Sequence, residues 1–411
     1  MALVCTRRAA TPLARAWQCF LARDVSILDT EGCKERTLVG AMSLWLEGAA
    51  LGRPSLEGDH VADVAIIGGG IAGAATAYLL GRRGASVVLL ERAHLGAGAT
   101  GRNAGFLLKG VSENFVAASR RYGEPTAARV WHVTGRNQEL IHEIVERHGI
   151  ACDLEWNGSM QIAGDEEEWT EMLASAVTLL RRGYRLEIDE ASQCVFVPDD
   201  GAFHPIRFLQ GLASAAESAG TKIFEDTGVT SVSARGVRAA GGTVAARSVV
   251  VCTNAYASQL VDARVRPVRG QMLATAPLAE RLLTRPVYAH RGFRYWRQTP
   301  DRRVVVGGWR DVAVDEEVGD EERLNERVQA MLDAFLRESG IAAPVTHRWA
   351  GIMGFSHDGL PYVGRLPTGV FVHAGFTGHG MGFALATSEL LAALVCGETP
   401  HDATLFDPSR P

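Results

Sequence analysis

The stretch Ala62-Asp-Val-Ala-Ile-Ile-Gly68-Gly-Gly70-Ile-Ala-Gly73-Ala-Ala-Thr-Ala-Tyr-Leu-Leu-Gly-Arg-Arg83 decides the fold. Six residues of short apolar strand run into a glycine turn, and an alanine-rich helix follows, closed by Gly84. A second apolar run, Ala85-Ser-Val-Val-Leu-Leu-Glu91, completes a βαβ unit. Each glycine has a separate task. Gly68 permits the tight turn, Gly70 lets a pyrophosphate approach the backbone, and Gly73 allows the helix to pack closely on the sheet. The helix start, with Ile71 and Ala72, supplies amides and the positive end of a dipole, while Glu91 at the end of the second strand accepts hydrogen bonds from a ribose. The unit therefore predicts a dinucleotide site, without choosing between dinucleotides. It also contains an uncharged run from Val64 to Gly81, close to the length of a membrane span. The glycine spacing and the Arg82-Arg83 pair mark that run as a buried strand and helix, and no membrane span is expected.

The choice of dinucleotide lies in the next segment, Glu91-Arg92-Ala-His-Leu-Gly96-Ala-Gly98-Ala99-Thr100-Gly101-Arg102-Asn103-Ala104-Gly105-Phe106. A second glycine loop offers backbone amides to an extended flavin dinucleotide, and a nicotinamide enzyme has no use for it. Here the sequence resembles the FAD-binding oxidases of the D-amino-acid oxidase superfamily, including glycine oxidase, sarcosine oxidase and the γ-glutamylputrescine oxidase-like branch. The resemblance covers most of 61–409. Gly228-Val229-Thr-Ser-Val232 is similar to the family strand whose backbone meets the adenine. Pro267-Val-Arg269-Gly270-Gln271 is similar to the crossover into the substrate domain, with Arg269 structural. Trp349-Ala-Gly351-Ile-Met353 through Gly364 is similar to the C-terminal strand and turn. Ala374-Gly375-Phe376-Thr377-Gly378-His379-Gly380-Met381-Gly382 is similar to the loop beside the flavin ring. A helix start there, at Thr377 to Gly382, would stabilise negative charge developing on the ring as an oxyanion hole does.

The resemblance implies an α/β fold in which a Rossmann-like FAD-binding domain (61–110, 201–275 and 346–400) is interleaved with a substrate domain containing an antiparallel sheet (111–200 and 276–345). Local signals agree. Helices are expected over 125–148, 165–182, 205–219, 320–338 and 381–396, and strands near 155–163, 221–226, 229–235, 243–252, 346–353 and 370–375. Alternating apolar and polar residues over 265–311 suggest antiparallel pairing.

The resemblance also implies a reaction: hydride transfer from the carbon α to a neutral amine onto flavin N5, hydrolysis of the imine, and reoxidation by O2 with release of H2O2. A dehydrogenase of the same fold passing electrons to a quinone or carrier protein, and a flavin-binding protein without turnover, are the alternatives. His379, Trp309 and Tyr295 are the candidate catalytic residues; Met353, Trp309 and Tyr295 are the candidate pocket. Departures from the family are informative. Met353 stands where the amino-acid oxidases carry a carboxylate-binding arginine, and Gly378 and Gly382 stand where relatives carry further cations. The expected substrate is a small amine whose carboxylate is remote or absent, unless Arg294, Arg297 or Arg310 reaches in. No cysteine lies near Gly351, so FAD is expected to bind non-covalently. Val305 falls near the position of an oxygen-activating lysine, which leaves O2 and other acceptors open.

Composition bounds the remainder. The 411 residues are 47% hydrophobic and 22% charged, with a net charge of −5, which gives no electrostatic reason for a nucleic-acid partner. Seven scattered cysteines, with no C-x-x-C pair, suit reduced thiols in a cytoplasmic protein and no metal site. Residues 1–41 carry Arg7, Arg8, Arg15 and Arg23 before the first acid, Asp24. They suggest a transit segment, or an extension preceding Met42 as the functional start, and are expected to be poorly ordered.

Overall fold

The computed structural model describes residues 42–49 and 52–410. The expectations for 1–41 lie outside them. Two eight-stranded sheets organise the chain.

The first sheet grows from the glycine-turn strand, His60–Ile67. That strand pairs in parallel with Val87–Leu90 on one side and with Gly242–Val251 on the other, Ile67 facing Leu90 and Val251. Lys222–Phe224 extends one edge, while Phe371–Ala374 and Tyr362–Arg365 extend the other. The central strands are apolar almost without interruption, because helices cover the sheet. Among these helices, Ile71–Gly81 packs against both Pro205–Ser218 and Gly380–Val395. Pro205 opens its helix, and the His204 imidazole accepts from the amide of Arg207 to cap it. The uncharged run resolves into the strand His60–Ile67 and the helix Ile71–Gly81, and among the described residues no helix is long and apolar enough to cross a membrane.

The second sheet runs Val345–Phe355, Arg266–Thr275, Val304–Gly308, Arg294–Gln298, Val287–Ala289, Ser159–Ile162, Cys194–Val197 and Glu187–Asp189. Its pairs are antiparallel apart from Val287–Ala289 with Ser159–Ile162. Two strands that the sequence grouped with the nucleotide domain, Arg266–Thr275 and Val345–Phe355, pair here along their whole length. The helix Glu326–Glu338 begins at Asn325, whose side chain accepts from the amides of Arg327 and Val328. Val328, Leu332 and Phe335 then pack onto this sheet beside Trp296. Arg269 is structural: buried, it lies 3.6 Å from the buried carboxylate of Glu317.

Candidate active site

The site grows from the glycine turn. Gly68 adopts a φ of +109°, and a Cβ there would stand 2.7 Å from the carbonyl oxygen of Cys252. At Gly73 a Cβ would lie 1.9 Å from the carbonyl oxygen of Gly68, so helix and strand approach as closely as backbone allows. Gly70 is the residue before the helix, and no side chain caps it; the amide of Ile71 donates to the Thr100 hydroxyl at 3.0 Å. Glu91 accepts from the amides of Gly69 (2.7 Å) and Ala93 (3.0 Å), one on each carboxylate oxygen. Each oxygen keeps a second lone pair for a ligand hydroxyl.

The second glycine loop is clamped from behind. The indole of Trp45 donates to the carbonyl of Asn103, and that of Trp349 to the carbonyl of Arg102. The Asn103 amide nitrogen donates to the carbonyls of Ala99 and Thr100, and its oxygen accepts from Gly105. Arg297, buried and without a carboxylate partner among the described residues, donates to the carbonyls of Gly105 and Phe203. Burial pushes its pKa down to about 10, so it remains charged at neutral pH as a structural tie.

At the far end, the loop 375–379 enters the helix Gly380–Val395. The side-chain oxygen of Asn254 accepts from the amide of Gly375 at 3.0 Å, and Thr377, at φ 49°, donates its amide to the carbonyl of Gly354. Asn137, on the helix Glu124–His148, wedges into the first turns: its amide nitrogen donates to the carbonyl of Met381 and its oxygen accepts from the amide of Leu385. The amide of Gly382 is taken by the carbonyl of His379, whereas those of Gly380 and Met381 lie in a turn where the helix offers no acceptor.

These pieces wall one elongated cavity of about 980 Å³. Of the sequence-predicted residues, Gly68, Gly70, Ile71, Ala72, Glu91, Arg92, Ala99, Thr100, Ala104, Phe106, Val229, Met353, Tyr295, Thr377, Gly378, His379, Gly380, Met381 and Gly382 line it. Gly73 and Gly105 stand behind the wall in backbone packing. Trp309 does not reach it. The strand ends at Gly308 (φ +115°), and Trp309 itself turns left-handed at φ 55°. Its indole swings into the core, 3% exposed, with its ring centroid 5.1 Å from that of Phe335. Strand alternation does not carry through such a turn, and Trp309 is corrected from a pocket residue to a core residue.

Tyr288 was not anticipated. It lines the cavity, and its hydroxyl lies 3.4 Å from Nε2 of His379, the residue before the helix start. A lone tyrosine in an alternating strand gives no sequence signal for that position. Burial raises the Tyr288 pKa and pushes that of Tyr295 up to about 12, so both hydroxyls stay protonated; it lowers that of His379, which stays neutral.

The residues fit FAD. The cavity volume stands at the upper end of small-molecule sites. Two helix starts and two glycine loops line it. Fold and cavity together define a dinucleotide-dependent oxidoreductase. The chain belongs to the DAO family, described as FAD dependent oxidoreductase, whose model matches residues 63–394. Gamma-glutamylputrescine oxidoreductase from Escherichia coli K12 is 29% identical over 84% of this chain and 85% of its own length. Glycine oxidase from Geobacillus kaustophilus is 29% identical over 85% of this chain and 97% of its own. The crystal structure of the Geobacillus glycine oxidase superimposes with a TM-score of 0.73 at 25% identity, covering 86% of this chain and 99% of that one. The L-proline dehydrogenase of P. horikoshii, at 22% identity and a TM-score of 0.72, shares the fold over 86% of this chain and 98% of its own. The protein is an FAD-dependent amine or amino-acid oxidoreductase of this family.

Proposed function

We propose that the protein oxidises the C–N bond of a small amine held between the helix start at Gly380 and the wall formed by Tyr288, Tyr295 and Met353. The observation that carries this reading is the meeting of that helix start with two half-buried, protonated tyrosines and a neutral histidine in one cavity with the glycine cradle. FAD held by this cradle would supply a hydride acceptor for the carbon α to the neutral amine, the imine so formed being hydrolysed by water to an aldehyde or keto product and amine.

The protein's own part is placement and electrostatics. The amides of Gly380 and Met381 favour negative charge at the helix start. Met353, Phe106 and Phe376 give the pocket an apolar wall, which excludes water and favours the uncharged amine. The hydroxyls of Tyr288 and Tyr295 supply hydrogen bonds for substrate orientation. Neutral His379 tethers weakly to Tyr288 and to the carbonyl of Thr377, both at 3.4 Å, and needs no proton transfer for this chemistry. FAD binding is non-covalent in this reading: the cavity-lining cysteine, Cys252, sits beside the Gly68 turn, and burial pushes its thiol up to about 12.

The test is anaerobic mixing of the FAD-loaded protein with polyamines, N-methylated amines and γ-glutamyl amines, following the oxidised-flavin absorbance. Bleaching by at least one class supports the reading, and a flavin left oxidised by all of them defeats it. Peroxide formation compared with dye reduction then assigns O2, or a quinone or carrier protein, as acceptor.

A further inference from the structure

We propose that Arg310 is the docking point for a carboxylate on the substrate, so that the amine oxidised here also carries an acid group. The inference rests on the cavity being the amine-oxidising site, and narrows its substrate class.

Arg310 lines the cavity immediately after the strand Val304–Gly308. Its guanidinium carbon lies 5.0 Å from the ring centroid of Phe293 and 5.3 Å from that of Phe355. These rings hold the side chain without using any of its N–H donors. Among the described residues no carboxylate, carbonyl or hydroxyl accepts from it. The neighbouring arginines have polar partners: Arg102 pairs with Glu322, Arg291 with Glu171 and Arg294 with Asp311, Arg92 meets Tyr256, and Arg297 is spent on the carbonyls of Gly105 and Phe203. Arg310 is the exception among them.

Its position suits recognition of substrate. Phe355, one of its two rings, bridges to Phe376, which leads into the loop before Gly380. A Cβ at Gly378 would lie 3.3 Å from the sulfur of Met353, and one at Gly270 would meet both Met353 and the Tyr295 hydroxyl. Arg310, Tyr295 and Met353 thus belong to the same end of the cavity as the helix start. Burial lowers the Arg310 pKa, outweighing the opposing influence of Tyr295, Asp311 and Glu317, none of which hydrogen-bonds to the guanidinium. An unpaired, partly buried cation is costly, and a bidentate carboxylate removes that cost.

The experiment uses the oxidised, FAD-loaded protein and needs no turnover. Propionate and its neutral analogue propionamide are titrated while the visible spectrum of the flavin is followed. Wild type should respond saturably to propionate, with propionamide binding at least tenfold more weakly. Arg310→Met should weaken propionate at least tenfold without changing propionamide, and Arg310→Lys should fall between. Equal affinity for the two probes in wild type, no saturable response to propionate, or wild-type propionate affinity in Arg310→Met would each overturn the proposal. Should one variant fail to hold FAD, the other still reads the role of Arg310, and a wild type that does not discriminate overturns the proposal by itself. Arg310-dependent propionate binding with no amine able to bleach the flavin would defeat the amine-oxidation reading alone, whereas bleaching without carboxylate discrimination would defeat only the assignment of Arg310.

Discussion

Replacing Gly73 with alanine would place a methyl carbon 1.9 Å from the carbonyl oxygen of Gly68, with the Cys252 side chain 3.6 Å away on the other side. A carbon–oxygen contact needs about 3.3 Å, so the helix Ile71–Gly81 must retreat from its strand by more than about 1 Å. Backbone faces the intruding methyl, and no flexible side chain can yield. Overpacking of this kind costs about 1–3 kcal/mol, occasionally more. The retreat also draws Ile71 and Ala72 away from the second glycine loop, whose Thr100 hydroxyl accepts from Ile71 at 3.0 Å. The expected result is a loss of FAD affinity of at least tenfold and a thermal midpoint lower by several degrees. Calorimetric titration of apoprotein with FAD, alongside thermal melting, measures both. Gly135→Ala is the control: it lies within the helix Glu124–His148, and the nearest atom to its added Cβ is Cε of Lys109 at 3.9 Å. That change should stabilise by about 0.5–1 kcal/mol. If Gly73→Ala bound FAD within twofold of wild type and melted at the same temperature, the packing argument would be refuted.

Trp309→Ala should lower the thermal midpoint, since emptying a buried indole site costs about 3–5 kcal/mol, yet leave FAD per folded chain unchanged; loss of FAD at constant stability would return Trp309 to the pocket. Asp200, fully buried, accepts from the Ser159 hydroxyl, the Gln138 side chain and the Lys109 amide, and burial pushes its carboxyl up to about 6. A raised carboxyl means the fold prefers the protonated form: its stabilisation is complete below the unfolded pKa near 4 and is lost as pH rises through about 6. Asp200→Asn preserves the three hydrogen bonds if the Ser159 hydroxyl rotates to accept, so at pH 7.5 it should be more stable, by up to roughly 3 kcal/mol. Chemical denaturation at pH 4.5 and 7.5 reads this directly, and a variant no more stable than wild type at pH 7.5 contradicts it. Acid precipitation should release all flavin into the supernatant as FAD; colour remaining in the pellet would mean a covalent link.

The nucleotide half was legible because its signals are local. The spacing of Gly68, Gly70 and Gly73 fixes a strand, a turn and a helix within about twenty residues, and Gly149 and Pro205 mark helix ends through their own backbone constraints. The second sheet was legible as antiparallel but not in its membership. That Arg266–Thr275 pairs with Val345–Phe355 depends on contacts between residues far apart in sequence, which periodicity does not record. The short helix Phe115–Tyr122 was missed, although Asn114, whose side chain caps it, was visible. Trp309 misled because alternation assumes an unbroken strand, and Gly308 with the left-handed Trp309 breaks it. Tyr288 and Asn137 reach the site through tertiary packing alone. Arg310 was within the sequence's range of options; it lines the cavity, whereas Arg294 does not and pairs with Asp311.

The central claim is that separated stretches of chain converge to hold one flavin, and a crystal structure of the protein grown with FAD tests it most directly. Density should place the adenine near Val229 and Arg92, the pyrophosphate over Gly70, and the ring against the helix start at Gly380 and Met381. Flavin bound outside this cavity, or a cavity that stays empty in saturating FAD, would contradict it.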